Sequence, residues 1–298
     1  MNFLFRDSYT VDILPSGERA YGVTSLHNYL YVLRADRIDV YNAASSYKPL
    51  EPLRLAGLQS HECNDLTSSV LRNSLYVADC AMKLIRAVEL GRSVVEWVVP
   101  DCPRGLSVTP NNDTLLVTCA DTRQLLELSL DGGEWLDRVE LPSDIQRPLH
   151  AVKLPTGHYV VSHSTARGLP GQHRVCLLES TGSILLSYGS QSGSGLGQLN
   201  WPCHVSADST DDGEMVFVAD SSNNRIVLLS GRMQFVRGYV SSVSHPCRLH
   251  LERATRRLYV SEFGGRVVFI RLNDFLPSQH CRSARLLAEQ YRSAQCTA

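Results

Sequence analysis

A unit of strand, short polar loop and second strand recurs six times along this chain, at a spacing of roughly 40–45 residues. Examples are "SLYVADCAMKLIRAVEL" from Ser74, "TLLVTCADTRQLLELSL" from Thr114, "VFVADSSNNRIVLLS" from Val216 and "RLYVSEFGGRVVFIRL" from Arg257. "YLYVLRADRIDVY" from Tyr29 is the first unit. "HYVVSHS" from His158 reaches its partner "HRVCLLES" only after an inserted loop, so the fourth unit is longer. Val32, Val77, Val117, Val161, Val218 and Val260 mark one strand position in each unit. β-Branched and aromatic residues at such positions suit a pleated surface.

Each unit gains an inner strand before the repeat and an outer strand after it. "GVTSL", "DLTSSVL", "GLSVTP", "HAVKLP", "HVSAD" and "RLHLE" open the units, with turns such as "PTGH" and "STDDGE" following. "VEWVV", "WLDRVEL", "ILLSYG" and "FVRGYV" close four of them, and residues 50–57 give a weaker version. The sixth unit has no outer strand, whereas residues 9–16, "YTVDILPS", form a strand without a unit. Joining the two removes exposed strand edges. The expected fold is all-β: one six-bladed β-propeller over residues 1–278, closed by the N-terminal strand. A short C-terminal helix is expected within 279–298, with Ser283 as N-cap and Ala284, Leu287 and Tyr291 on one face.

Composition narrows the functions. The net charge is −1, so no global field draws the chain to nucleic acid or membrane. No segment approaches the ~20 apolar residues of a membrane helix. Lys48, Lys83 and Lys153 are the only lysines, the other basic residues being arginine. Nine cysteines show no zinc spacing, and the N-terminal apolar run is short for a signal peptide. These features lead to an expectation of a cytoplasmic setting with reduced thiols and no cofactor.

The fifth unit carries a more specific signal. Gly195, Gly197, Gln198, Pro202, Val205, Asp208, Val218, Asp220, Asn223, Arg225 and Ile226 match the pattern of an NHL repeat. The chain thus resembles the NHL propellers that end tripartite-motif proteins, strongly in blade five and partly in blade two. That resemblance implies a recognition module, the target-binding part of a ubiquitin ligase, here without the ligase's zinc domains. Asp79, Asp220, Asn223 and Arg225 then read as a structural signature rather than a calcium loop, because the donors decay to Met82 and Cys119 in other blades.

Function is sought instead on the face that carries the loops entering the inner strands, called here the entry face. Aligned by position, the residues before and at each inner strand are Tyr21 and Gly22, Asn64 and Asp65, Arg104 and Gly105, Leu149 and His150, Cys203 and His204, and Cys247 and Arg248. The expected partner-binding rim is Tyr21, Asn64, Asp65, Arg104, Arg147, His150, His204 and Arg248. Arg167 and His173 are assigned to a recognition loop in blade four. No catalytic residue is assigned, since no nucleophile elbow or Cys–His pair stands out. No metal is assigned either, because no third histidine occupies the rim. The leading expectation is a non-enzymatic platform for a protein or peptide. RNA binding is the first alternative, and a metal-dependent propeller lyase or lactonase is the second.

Overall fold

The computed structural model describes residues 10–272, except Ser16, 59–62, Asn112, 166–170, 211–212 and 241–242. Six four-stranded antiparallel sheets are present, each ordered along the chain except the last. Their inner strands are Gly22–Leu26, Cys63–Ser69, Pro103–Val108, Pro148–Lys153, Pro202–Thr210 and Pro246–Glu252. The second strands are Tyr29–Leu33, Ser74–Asp79, Thr114–Cys119, Tyr159–Ser164, Gly213–Asp220 and Arg257–Glu262. In the sixth blade Thr10–Leu14 supplies the outer strand, with Thr10 opposite Ile270 and Val11 opposite Phe269. This is the six-bladed propeller that the repeat requires. The domain boundary at 278 and the helix expected after it lie outside the described residues.

The core lies between blades. The six valines of the repeat are all 0% exposed. Neighbouring residues on one strand face different partners. Leu115 and Val117 pack with Tyr76 and Ile85 of blade two, while Leu116 packs with Tyr159, Val161 and Cys176 of blade four. A second strand buried on both faces needs no polar alternation, which is why these strands read as continuous apolar runs. Each such side chain contributes ~1.5–3 kcal/mol of burial.

Blade one departs from expectation. Its outer strand is only Lys48–Pro49, with one further bridge from Ile38 to Leu53, rather than a strand over 50–57. Pro49 and Pro52 have no N–H to give to a ladder. Leu55 and Leu58 nonetheless pack into the seam with Leu66 and Leu75 of blade two.

Asp220 is fully buried at the end of its strand. It accepts from the Asn200 backbone N–H at 2.6 Å, Asn223 Nδ2 at 2.8 Å and Arg225 Nε at 2.6 Å. Arg225 also donates to the carbonyls of Ser194 and Gln198, both at 2.9 Å. Asn223 donates to the Gly193 carbonyl at 2.8 Å. The four groups therefore stitch the loop between the second and third strands to the Gly-rich approach of the same blade. Burial pushes the Asp220 carboxyl upward against the pull of these donors. In blade two Asp79 pairs with buried Arg86 and accepts from the Met82 N–H at 3.1 Å.

One covalent link corrects the expectation of reduced thiols. Cys80, just after Asp79, is disulfide-bonded to Cys102, just before the inner strand of blade three. Adjacent blades bring together two residues whose sequence context gives no pairing signal. Cys119, Cys176, Cys203 and Cys247 are free and buried.

Candidate functional site

The inner strands share an irregularity that builds the site. In blades two to six the pairing with the second strand slips at Cys63/Asp65, Pro103/Gly105, Pro148/His150, Pro202/His204 and Pro246/Arg248. A bulge of this kind re-aims the neighbouring side chains. Asp65, Gly105, His150, His204 and Arg248 therefore occupy equivalent places around the central channel, below the rim. Gly105 has to be small: a Cβ there would meet His150 Cδ2 at 2.8 Å and the Leu149 carbonyl oxygen at 2.9 Å.

Asp65 is the hub. Its Oδ1 accepts from the Leu66 N–H at 2.9 Å and faces Arg248 Nε at 3.3 Å. Its Oδ2 accepts from the Leu106 N–H of the next blade at 2.9 Å. The same oxygen lies 3.4 Å from His150 Nε2 and 3.5 Å from His204 Nε2. The two imidazoles stack with centroids 3.5 Å apart. All three residues are buried. Burial, then the neighbouring His204, pushes His150 down to about 3, the Asp65 charge opposing. Burial followed by Arg248 holds His204 well below its ordinary value. Both rings are thus neutral at pH 7, and the Nδ1 atom of each is buried without a hydrogen-bond partner.

His150 and His204 also line a cavity of about 440 Å³ that runs down the channel to the face opposite the entry face. Its wall includes Ser25, His27, Thr109 and His250. His250 contacts Ser25 Oγ through Nε2 at 2.9 Å and Thr24 Oγ1 through Nδ1 at 3.3 Å. Burial, then Arg253, pushes His250 down to about 4. The inner strands supply this lining from their later residues, which the rim-based reading of the sequence passed over. The signal available was a polar residue within three places of the bulge on several inner strands, as in Thr67, Ser68, Ser107, Ser206 and His250.

The expected rim residues are redistributed accordingly. Asp65, His150 and His204 come together, but inside the channel rather than on an exposed rim. Tyr21 is also buried, packed in the seam between blades one and two, with the Arg19 guanidinium 4.9 Å from its ring centroid. Arg104, Arg147 and Arg248 remain partly exposed at the entry end. Asn64 lies where only the backbone is described, and Arg167 lies outside the described residues. His173 is no loop contact: it is fully buried in the strand Gln172–Leu178, and its Nδ1 accepts from the Trp201 N–H at 2.8 Å. The insertion in the sequence hid the fact that the third strand begins before His173.

The sequence matches no known family, and no curated protein matches it. Solved structures do resemble it. A catalytically inactive virginiamycin B lyase from Staphylococcus aureus with quinupristin has a TM-score of 0.60 at 11% identity, covering 88% of this chain and 98% of its own. A streptogramin B lyase has a TM-score of 0.59 at 12% identity, over 88% and 96%. Kuenenia stuttgartiensis hydrazine synthase has a TM-score of 0.59 at 13% identity, over 85% and 95%. At such identities the likeness establishes the six-bladed propeller fold. The expectation of a non-enzymatic module is corrected to this extent: the solved structures that share this propeller include lyases, so the fold gives no ground for excluding catalysis. None of these structures is described as an NHL propeller, and the resemblance to NHL repeats stays confined to the motif residues of the sequence.

Proposed function

We propose that this propeller is an enzyme of lyase type, with Asp65, His150 and His204 as a divalent-metal centre at the inner end of the channel cavity. The carrying observation is the convergence of one carboxylate oxygen and two neutral imidazole nitrogens in a buried cluster. Asp65 Oδ2 stands 3.4 and 3.5 Å from the two Nε2 atoms, separations that suit a small ion once His150 Nε2 gives up its 3.1 Å contact with the Leu106 carbonyl oxygen. Ligand atoms around a tetrahedral ion with ~2.0–2.1 Å bonds stand ~3.3–3.4 Å apart. Asp65 divides its work, giving Oδ1 to Arg248 and presenting Oδ2 to the imidazoles. Bound there, a divalent ion would supply Lewis-acid polarisation of a substrate oxygen. His250 lines the same cavity with Nε2 on Ser25 Oγ and Nδ1 on Thr24 Oγ1, and a proton taken from substrate would pass to it through one of these hydroxyls. The lactonase alternative has weaker support, because Asp65 is the one carboxylate in the cluster among the described residues.

Metal analysis tests the centre directly. Protein purified without chelator, or titrated with zinc or manganese, should hold one equivalent, and His150→Ala or His204→Ala should hold none. No stoichiometric binding of either ion by the folded protein refutes the centre. A panel of esters and lactones then tests the reaction. Elimination gives products whose masses sum to the substrate, whereas hydrolysis adds a water. His250→Ala should lower turnover by about 10²-fold or more while leaving one metal bound.

A further inference from the structure

We infer that the entry face carries a separate oxyanion site, formed by Arg104, Arg147 and Arg248, for a ligand bearing a carboxylate or phosphate group. The inference goes beyond the channel centre and does not depend on metal there.

Arg104 is the residue extruded by the bulge of blade three, between Pro103 and Gly105. Its counterparts in blades five and six show what this position normally does. Cys203 Sγ reaches the Pro246 carbonyl oxygen of the next blade at 3.2 Å, and Cys247 Sγ reaches the Ala20 carbonyl oxygen at 3.6 Å. Both are small thiols that seal the seam between blades. Blade three places a guanidinium in the same position. Among the described residues it finds no acceptor, and its Nε is wholly buried without a partner.

A half-buried guanidinium whose one enclosed N–H lacks an acceptor carries a desolvation cost that a bound oxyanion would offset. The neighbours increase that cost. Arg147, at the approach to blade four, and Arg248 both act on Arg104 with like charge, and only Asp121 opposes them. Burial and these two arginines push Arg104 down to about 10. The other nearby carboxylates are engaged elsewhere. Asp101 accepts from the N–H groups of Cys102, Asp121 and Thr122, and Asp65 faces Arg248 and the histidines. The Arg147 guanidinium lies 6.0 Å from the Trp201 ring centroid, which gives the site an aromatic wall. Planar guanidinium groups suit the two-oxygen edges of carboxylates and phosphates. Phosphate and carboxylate present the same chemistry here, so the probe must separate them.

Inorganic phosphate and succinate are titrated against the protein by thermal shift and calorimetry, with sodium chloride at matched ionic strength as control. The wild-type protein should bind at least one of the two oxyanions with a 1:1 stoichiometry and gain stability beyond the chloride control. Arg104→Gln should weaken that affinity at least tenfold, and Arg104→Gln/Arg147→Gln should abolish it. Arg104→Gln should also raise the melting temperature of the ligand-free protein, since it removes an enclosed N–H without an acceptor and relieves the like charge of Arg147 and Arg248; a fold broken by the substitution would lower it instead. Preference for phosphate or for succinate identifies the ligand class. Equal stabilisation by chloride, or binding that survives the double substitution, overturns the site. These outcomes are distinct from failure of the metal centre, which the zinc and manganese binding of the wild-type protein and of His150→Ala and His204→Ala reports.

Discussion

Replacing Cys80 and Cys102 together with serine removes the one covalent tie between blades two and three among the described residues. The bond spans a sequence separation of 22. Chain-entropy theory assigns a loop of that length ~3 kcal/mol of stabilisation through the unfolded state. At ~2.1 cal/mol/K of unfolding entropy per residue, a chain of this length has a melting entropy near ~0.6 kcal/mol/K, so the double variant should melt ~5 °C lower. Reductant should lower the wild-type melting temperature by the same amount and leave the variant unmoved. Calorimetry with and without reductant reads both effects. Thiol titration of the denatured, unreduced protein supplies the independent check: nine free thiols, the full count of cysteines, would refute the bond. A melting shift below ~1 °C would refute the energetic argument even with the bond in place.

Two further outcomes follow from buried charge. Asp220→Ala should cost ~3–5 kcal/mol in urea unfolding because it strands Arg225 and the Asn200 N–H, while Asp220→Asn, which keeps an acceptor, should cost less. Acid should destabilise the fold early. His163 is pushed down to about 3, by burial and then Arg174, and His250 to about 4. The unfolded chain takes up protons on these rings below ~6.5, and the folded chain does so only near those lower values. Stability is therefore complete above pH 6.5 and falls by ~1.4 kcal/mol per pH unit for each ring as pH drops toward them. His163→Gln should flatten the pH dependence of the melting temperature between pH 6 and 5; an unchanged slope would count against the assignment.

The architecture was legible because its constraint is repeated. Val32 through Val260 face the same seam six times, and one period fixes six sheets. The equivalence of Asp65, His150, His204 and Arg248 was legible too, since each follows the same entry position. Their depth was not. It comes from a bulge whose place proline marks in blades three to six, but whose turn, carrying Asp65, His150 and His204 under the rim while Arg248 stays partly exposed, depends on the neighbouring blades. Tyr21 and His173 were misplaced for a related reason: exposure at a loop end depends on how the neighbouring blade closes over it. The pairing of Cys80 with Cys102 depends on the distance between two blades, which a periodic sequence leaves open.

The closure of the sixth blade has a mechanical consequence. Thr10 lies opposite Ile270, and Leu14 opposite Val267, so the chain enters and leaves this strand pair at the same end. A force applied through the two ends would load the pair bond by bond, as in opening a zipper, rather than shearing all its hydrogen bonds together. The ring packed through its inter-blade seams would thus yield to tension at one strand pair within blade six, beginning with Thr10. A neighbouring domain pulling on either end could open the propeller without unfolding the blades that hold the channel.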